Sequence, residues 1–181
     1  VDYALPPNLR NDLSITVKKI FTIYRQALNV EYDPEQDFRI VLYGDRGKFR
    51  RYQRKKAPSL ENPIGFYSTA NNQITALAVR NQRALVGLIT HECSHAVSSS
   101  WQRYVPMWIN EGLAEYFSRM RVYGLTAEVM VARRHLQVLR GAGYEQRDPD
   151  LAEHLNASPG AWKQANGPRN LSYALDRKSV V

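Results

Sequence analysis

Three residues in the middle of the chain have the types and the spacing of a metal site that can activate water. His91 and His95 are four residues apart, and on a helix such a pair projects from one face about 5–6 Å apart. That separation suits two corners of a tetrahedral metal ion. Glu92 lies at the edge of the same face, where its carboxylate can reach a water on the ion without binding the ion itself. The pattern predicts a zinc site with its general base.

Two carboxylates further along the chain, Glu111 and Glu115, can complete this site. If the chain folds back, Glu111 reaches the third metal position. Glu115 lies one helical turn later and could accept a hydrogen bond from the far nitrogen of a ligating histidine. The alternatives are structural: a hydrogen-bonded histidine pair in the core, a carboxylate at Glu111 favoured by the helix dipole, and a surface carboxylate at Glu115.

The elements that must position these residues follow from hydrophobic periodicity. In the first half, Asn8 or Asn11 is predicted to cap a helix, and Phe38–Tyr43 and Gln73–Arg80 are predicted strands. The apolar residues of the first helix recur at helical spacing: Leu13, Val17, Ile20, Phe21, Tyr24 and Leu28.

The second half reads as helical. The histidine-bearing helix is predicted from about Asn81 to Ser98–Ser100, the next from Pro106 to about Tyr123–Gly124, and a third from Thr126 through Arg140. This order predicts an α+β fold. We expect one domain over 1–181, with a sheet-bearing lobe at about 1–100 and a helical lobe at about 101–181.

Composition supports a globular protein and limits the function classes. The chain of 181 residues is 44% hydrophobic and 23% charged, and no apolar run approaches the roughly 18–20 residues of a membrane span. Val1–Pro7 shows neither an initiator Met nor a signal-peptide pattern, which predicts a processed or trimmed chain. The single cysteine, Cys93, excludes an internal disulfide. We interpret Cys93 as a packed core residue rather than a reactive thiol.

The net charge of +8 is concentrated in one short span, residues 46–56. Seven basic residues fall there: Arg46, Lys48, Arg50, Arg51, Arg54, Lys55 and Lys56. Such a patch could bind nucleic acid, an anionic membrane or an acidic cell-wall polymer, and the alternative is a solvated loop or hairpin. For its local structure we expect a helical turn or a hairpin. Nucleic acid is the least favoured partner because no nucleic-acid-binding motif accompanies the patch.

The two motifs together resemble those of a known enzyme family. The pentapeptide at 91–95 is followed by Trp-Ile-Asn-Glu-Gly-Leu-Ala-Glu-Tyr at 108–116. This combination is similar to the gluzincin metallopeptidases, the clan of thermolysin and its related aminopeptidases, and in particular to bacterial peptidase-MA-like domains. The likeness is specific over roughly residues 64–123. One departure is the spacer of 15 residues between His95 and Glu111, which is shorter than in thermolysin-like enzymes and related aminopeptidases.

The resemblance implies a fold and a set of roles. It implies a zincin-like fold: a small mixed sheet with an N-terminal helix and an active-site helix, followed by a mostly helical C-terminal lobe. Zn²⁺ would be held by His91, His95 and Glu111, with Glu92 as the base and Glu115 hydrogen-bonded to a ligand.

Two further roles also come from the resemblance. Tyr173 is the candidate catalytic residue that stabilises the oxyanion; Tyr116 is the second candidate, although we expect it to be a core residue. Gln73–Ala78 would be the edge strand that pairs with an extended substrate backbone.

We therefore predict zinc-dependent hydrolysis of peptide bonds in a peptide or protein substrate. The alternative is a zincin-like module of weak or no activity that binds an anionic cell-envelope polymer, through the basic span 46–56, or a partner protein. The chain leaves its cellular compartment open, and the resemblance favours a bacterial envelope or secreted location.

Overall fold

Helices and short strands are interspersed along the part of the chain that the structure describes. This computed structural model describes residues 3, 5–28, 38–101, 105–123, 126–130, 133 and 137. The elements are α1 (Pro7–Leu28), β1 (Arg39–Tyr43), α2 (Arg46–Lys56), β2 (Gly65–Ser68), β3 (Gln73–Leu77), α3 (Gln82–Trp101), α4 (Met107–Ser118), β4 (Met120–Tyr123) and β5 (Thr126–Val129). The predicted α+β class is confirmed. No described helix has the length and apolar character needed to cross a membrane.

The main sheet has three strands in the order β1-β3-β2. Strand β1 runs parallel to β3 and β2 runs antiparallel to it, so the sheet is mixed. Because β3 is paired on both sides, its backbone groups are already used in the sheet. The prediction that Gln73–Ala78 forms a substrate-binding edge strand is therefore wrong. Among the described strands of this sheet, the edges are β1 and β2.

Side-chain alternation along β3 gives the sheet two buried faces. Ile74 and Ala76 join the main core, which α1 and α3 cover. Leu77 joins Phe49 and Phe66 in a second core, which α2 covers on the other face. The sheet thus separates α2 from α3, the helix that carries both histidines.

Helix α1 begins two residues earlier than a cap at Asn8 would place it. Pro7 occupies the first helical position, where a missing N–H costs nothing, and Pro6 accepts the first backbone hydrogen bond, from Arg10 at 3.0 Å. Asn8 and Asn11 therefore lie inside the helix and do not cap it. The predicted apolar stripe is buried at Leu13, Val17, Ile20 and Phe21.

The basic span 46–56 is helix α2, so a loop or a hairpin is wrong, and the helical alternative is the one that forms. Asp45 caps it, accepting a hydrogen bond from the backbone N–H of Lys48 at 2.7 Å. Phe49 is buried against the sheet, and Gln53, one turn later, is buried where its Nε2 donates hydrogen bonds to the backbone oxygens of Ala57 and Leu60, at 2.8 and 3.0 Å. Two inward-facing residues at helical spacing are enough to fix this face in a span that is otherwise basic.

Helix α3 forms where the periodicity predicts it. The Asn81 side chain caps it by accepting hydrogen bonds from the N–H groups of Arg83 and Ala84, at 3.0 and 3.2 Å. Leu85, Leu88 and Ile89 anchor it in the main core. Helix α4 starts at Met107, one residue later than predicted, and Pro106 is its N-cap rather than part of its first turn.

The chain after α4 departs from the prediction. Instead of one helix to about Tyr123–Gly124 and another from Thr126, the structure has an antiparallel pair, β4 and β5, in which Met120 pairs with Val129. Met120 is buried whereas Arg121 and Tyr123 are exposed, a period-2 pattern that suits a strand. The expected helical lobe at 101–181 thus begins with α4 and this hairpin, and residues 138–181 lie outside the described residues.

Candidate metal centre

The candidate site lies where α3 and α4 pack together, which is the most extensive helix–helix contact among the described elements. Gly87 of α3 allows the two helices to come close together at one point. A Cβ atom at this position would lie 3.0 Å from the backbone oxygen of Ser118, at the end of α4. Burial of Ala114 and Phe117 holds α4 against the core, so that its other residues can face α3.

Three side chains from the two helices converge there. The Nε2 atom of His91 lies 3.5 Å from one carboxylate oxygen of Glu111, and the Nε2 atom of His95 lies 3.6 Å from the other. One donor atom from each of the three residues falls within 4.8 Å of the others. The structure therefore brings Glu111 to the two histidines across the spacer that separates them in sequence.

These distances fit a single metal ion. With bonds of about 2.0–2.1 Å and tetrahedral angles, two ligand atoms on one zinc ion are about 3.3–3.4 Å apart. The observed separations of 3.5 and 3.6 Å are within a few tenths of an ångström of that value. Two imidazole nitrogens and one carboxylate oxygen are also a ligand set that catalytic zinc sites use. The residues present thus fit the ion that the sequence predicts.

Both imidazole rings are oriented by acceptors on α4. The Nδ1 atom of His95 lies 3.1 Å from the Oδ1 atom of Asn110, and the Nδ1 atom of His91 lies 3.5 Å from a carboxylate oxygen of Glu115. An acceptor at Nδ1 keeps the proton there and leaves the Nε2 lone pair for a metal. The two rings are nearly perpendicular, at 83°, with their centroids 4.9 Å apart. The Glu115 carboxylate thus lies beside the ring nitrogen of His91 that is not the one facing Glu111.

Sequence reasoning missed two members of this arrangement. Asn110 immediately precedes Glu111, and its place in the Asn-Glu motif was the available signal. Arg119 lies 3.7 Å from the second carboxylate oxygen of Glu115, at the i,i+4 spacing that favours ion pairs on a helix. His91, Glu115 and Arg119 thus form a chain of contacts that leads away from the three converging donors.

Glu92 is on α3 beside His91 and is only 2% exposed. The side chains of His95 and Glu111 are each 17% exposed, whereas that of His91 is 4% exposed. Solvent therefore reaches the site from the side of His95 and Glu111.

The remaining predicted residues have different outcomes. Tyr173 lies outside the described residues. Tyr116 is 54% exposed, so the expectation that it belongs to the core is wrong. Cys93 is fully buried, as predicted for a packed residue. Burial raises the pKa of its thiol well above the ordinary value, and the charge of the adjacent Glu92 raises it further.

Comparison of the chain with protein-family models, with curated proteins and with solved structures gave no match. The functional interpretation therefore depends on the geometry of the site and on the sequence motifs.

Proposed function

We propose that this protein is a zinc-dependent peptide hydrolase of the gluzincin type, with a zincin-like fold. The convergence of His91, His95 and Glu111 from two helices carries the proposal. Three protein ligands that leave a further position open are typical of catalytic rather than structural zinc sites. The peptide substrate class is supported by the likeness of residues 64–123 to gluzincins.

The ion would be held by the two Nε2 atoms and the Glu111 carboxylate. When bound, zinc lowers the pKa of a coordinated water to about 7 and polarises the substrate carbonyl. Asn110 and Glu115 fix the two imidazole rings through Nδ1, so that the ligand atoms need little reorganisation.

Glu92 supplies the proton transfers. As general base it accepts the proton that the attacking water loses, and as general acid it delivers that proton to the leaving nitrogen. Its burial suits this task, because a carboxylate shielded from solvent exchanges its proton with the reacting groups rather than with bulk water.

The test is substitution of this base. Wild-type protein loaded with zinc should cleave casein or a peptide library, a chelator should abolish cleavage, and added zinc should restore it. Glu92→Gln should keep one zinc per chain but lower turnover about 10²–10⁴-fold. Glu61→Gln is the matched control, since Glu61 is an exposed carboxylate outside the site. Normal turnover in zinc-loaded Glu92→Gln would refute the mechanism, and failure of the wild type to bind zinc would refute the site.

A further inference from the structure

Helix α2 presents a continuous cationic surface that the metal centre does not use. We define the basic face as its six exposed basic residues: Arg46, Lys48, Arg51, Arg54, Lys55 and Lys56. The helix contains no acidic residue, and Asp45 beside it is engaged as the cap. Among the described residues, no carboxylate forms an ion pair with Arg51, Arg54 or Lys55. The positive charges of Arg51, Arg54 and Lys55 are thus available to a partner.

The stability of α2 does not account for all of this charge. Basic residues in the last turn suit the negative end of the helix dipole, but Arg46 and Lys48 are in the first turn, where the dipole opposes positive charge. Like charges also recur at i,i+4, as in Arg51 and Lys55, and such pairs weaken a helix. A polyanion bound on the surface would relieve both kinds of repulsion.

We infer that the basic face binds a flexible linear polyanion that carries repeating phosphate groups. Its exposed basic side chains occupy the side of the helix opposite Phe49 and Gln53, and both of its ends: Lys48, Arg51, Arg54 and Lys55 on that side, Arg46 and Lys56 at the ends. A flat bilayer can contact that side of the helix, whereas a flexible chain can follow it and also bend around the two ends. The arginine guanidinium groups can bind phosphate oxygens in pairs.

The apolar residues of α2 argue against other polyanionic partners. None of its large apolar side chains is exposed, so the face has no residue to insert into a lipid layer. The ring of Phe49 is buried and that of Tyr52 is half-buried, stacked on Phe66 in the second core. Neither ring is available to stack on nucleobases, which single-stranded nucleic acid binding uses.

The position of α2 makes this surface independent of the proposed hydrolase. The sheet lies between α2 and α3, because the two helices pack on opposite faces of β3. Polyanion binding should therefore be insensitive to a chelator and to Glu111→Ala. This inference does not rest on the proposed function.

The test uses long-chain inorganic polyphosphate as the probe and compares two variants of equal charge. One is Arg51→Gln/Arg54→Gln/Lys55→Gln. The control is Arg10→Gln/Arg80→Gln/Arg83→Gln, which removes three exposed positive charges that lie outside α2. Circular dichroism and the melting temperature establish that both variants are folded.

For the wild type, we expect affinity to fall steeply with salt, with a log–log slope of about −3 to −4 for four to six phosphate contacts. The α2 variant should lose about two units of slope and at least about tenfold in affinity at low salt. The control should change affinity less than about threefold. Equal losses in the two variants would overturn the inference, since net charge alone would then explain binding. Stronger α2-dependent binding to vesicles of equal phosphatidylglycerol and phosphatidylcholine, or to single-stranded DNA, would also overturn it, as would no binding of polyphosphate.

Discussion

Replacing Asn110 with alanine should weaken zinc binding while leaving the fold intact. The Oδ1 atom of Asn110 lies 3.1 Å from Nδ1 of His95, on the side of the ring opposite the Nε2 atom that faces Glu111. Without this acceptor, the ring can rotate and the proton can move to Nε2, the atom that must be free to bind metal.

The two expected magnitudes differ. Loss of a hydrogen-bond partner to a ligating histidine typically weakens metal affinity about 10–100-fold, which is about 1.4–2.8 kcal/mol. The effect on folding without metal is smaller. A neutral hydrogen bond contributes about 1 kcal/mol, and alanine regains about 0.5 kcal/mol because it favours helix more than asparagine does. Asn110→Ala should therefore reduce the free energy of zinc binding by much more than it reduces the free energy of unfolding of the metal-free protein.

The assay is a zinc titration against a chromophoric chelator, with melting curves recorded with and without zinc. Asn110→Asp is the matched control because it keeps an acceptor oxygen at this position, and it should bind zinc within about threefold of the wild type or more tightly. Glu111→Ala removes a candidate ligand and should cause a larger loss than Asn110→Ala. Unchanged zinc affinity in Asn110→Ala would refute the orienting role. An equal loss of zinc affinity in Asn110→Asp and Asn110→Ala would show that the acceptor oxygen does not cause the effect of the alanine substitution.

Two further predictions concern the packing of α3 and α4 and the cysteine between the histidines. Gly87→Ala should lower the free energy of unfolding by about 1 kcal/mol or more, because a Cβ atom there would lie 3.0 Å from the backbone oxygen of Ser118. Gly112→Ala meets no atom within 4 Å and should raise it by about 0.5–1 kcal/mol; denaturant melts that rank the two variants in the opposite order would contradict this reasoning. Cys93 should resist thiol reagents in the native protein at neutral pH and react once the chain is unfolded, since burial, followed by the charge of Glu92, raises the pKa of its thiol. Rapid labelling of the folded protein, measured by mass spectrometry, would contradict the buried position.

The basic span shows where local sequence signals were misjudged. Its charge suggested a solvated loop or hairpin, yet Asp45 and the i,i+4 pair of Phe49 and Gln53 carry the information for a capped helix with one inward face. The prediction gave more weight to the seven basic residues than to the helical spacing of the two buried ones. Helix formation here depends on the second core, which Phe66 and Leu77 provide from the strands.

The hairpin after α4 shows a competition between two local patterns. Met120–Tyr123 and Thr126–Val129 contain enough apolar residues to fit a helical period, and they were predicted as parts of two helices. Their β-branched and aromatic residues also fit short strands. Burial of Met120 in the main core and pairing with Val129 favour the strands.

The sequence alone determined which residues can serve the site. Helical periodicity is local, so the spacing of His91 and His95 was sufficient to place both rings on one face of α3. Tertiary structure decided everything that depends on distant partners. It placed Glu111 3.5 and 3.6 Å from the two histidines, although 15 residues separate Glu111 from His95 in the sequence. It also placed Asn110 and Glu115 beside the Nδ1 atoms of His95 and His91, and β3 in the centre of the sheet rather than at its edge. The physical reason is that such contacts depend on how helices and strands pack, and the spacing of residues along one element carries no information about the element that will lie beside it.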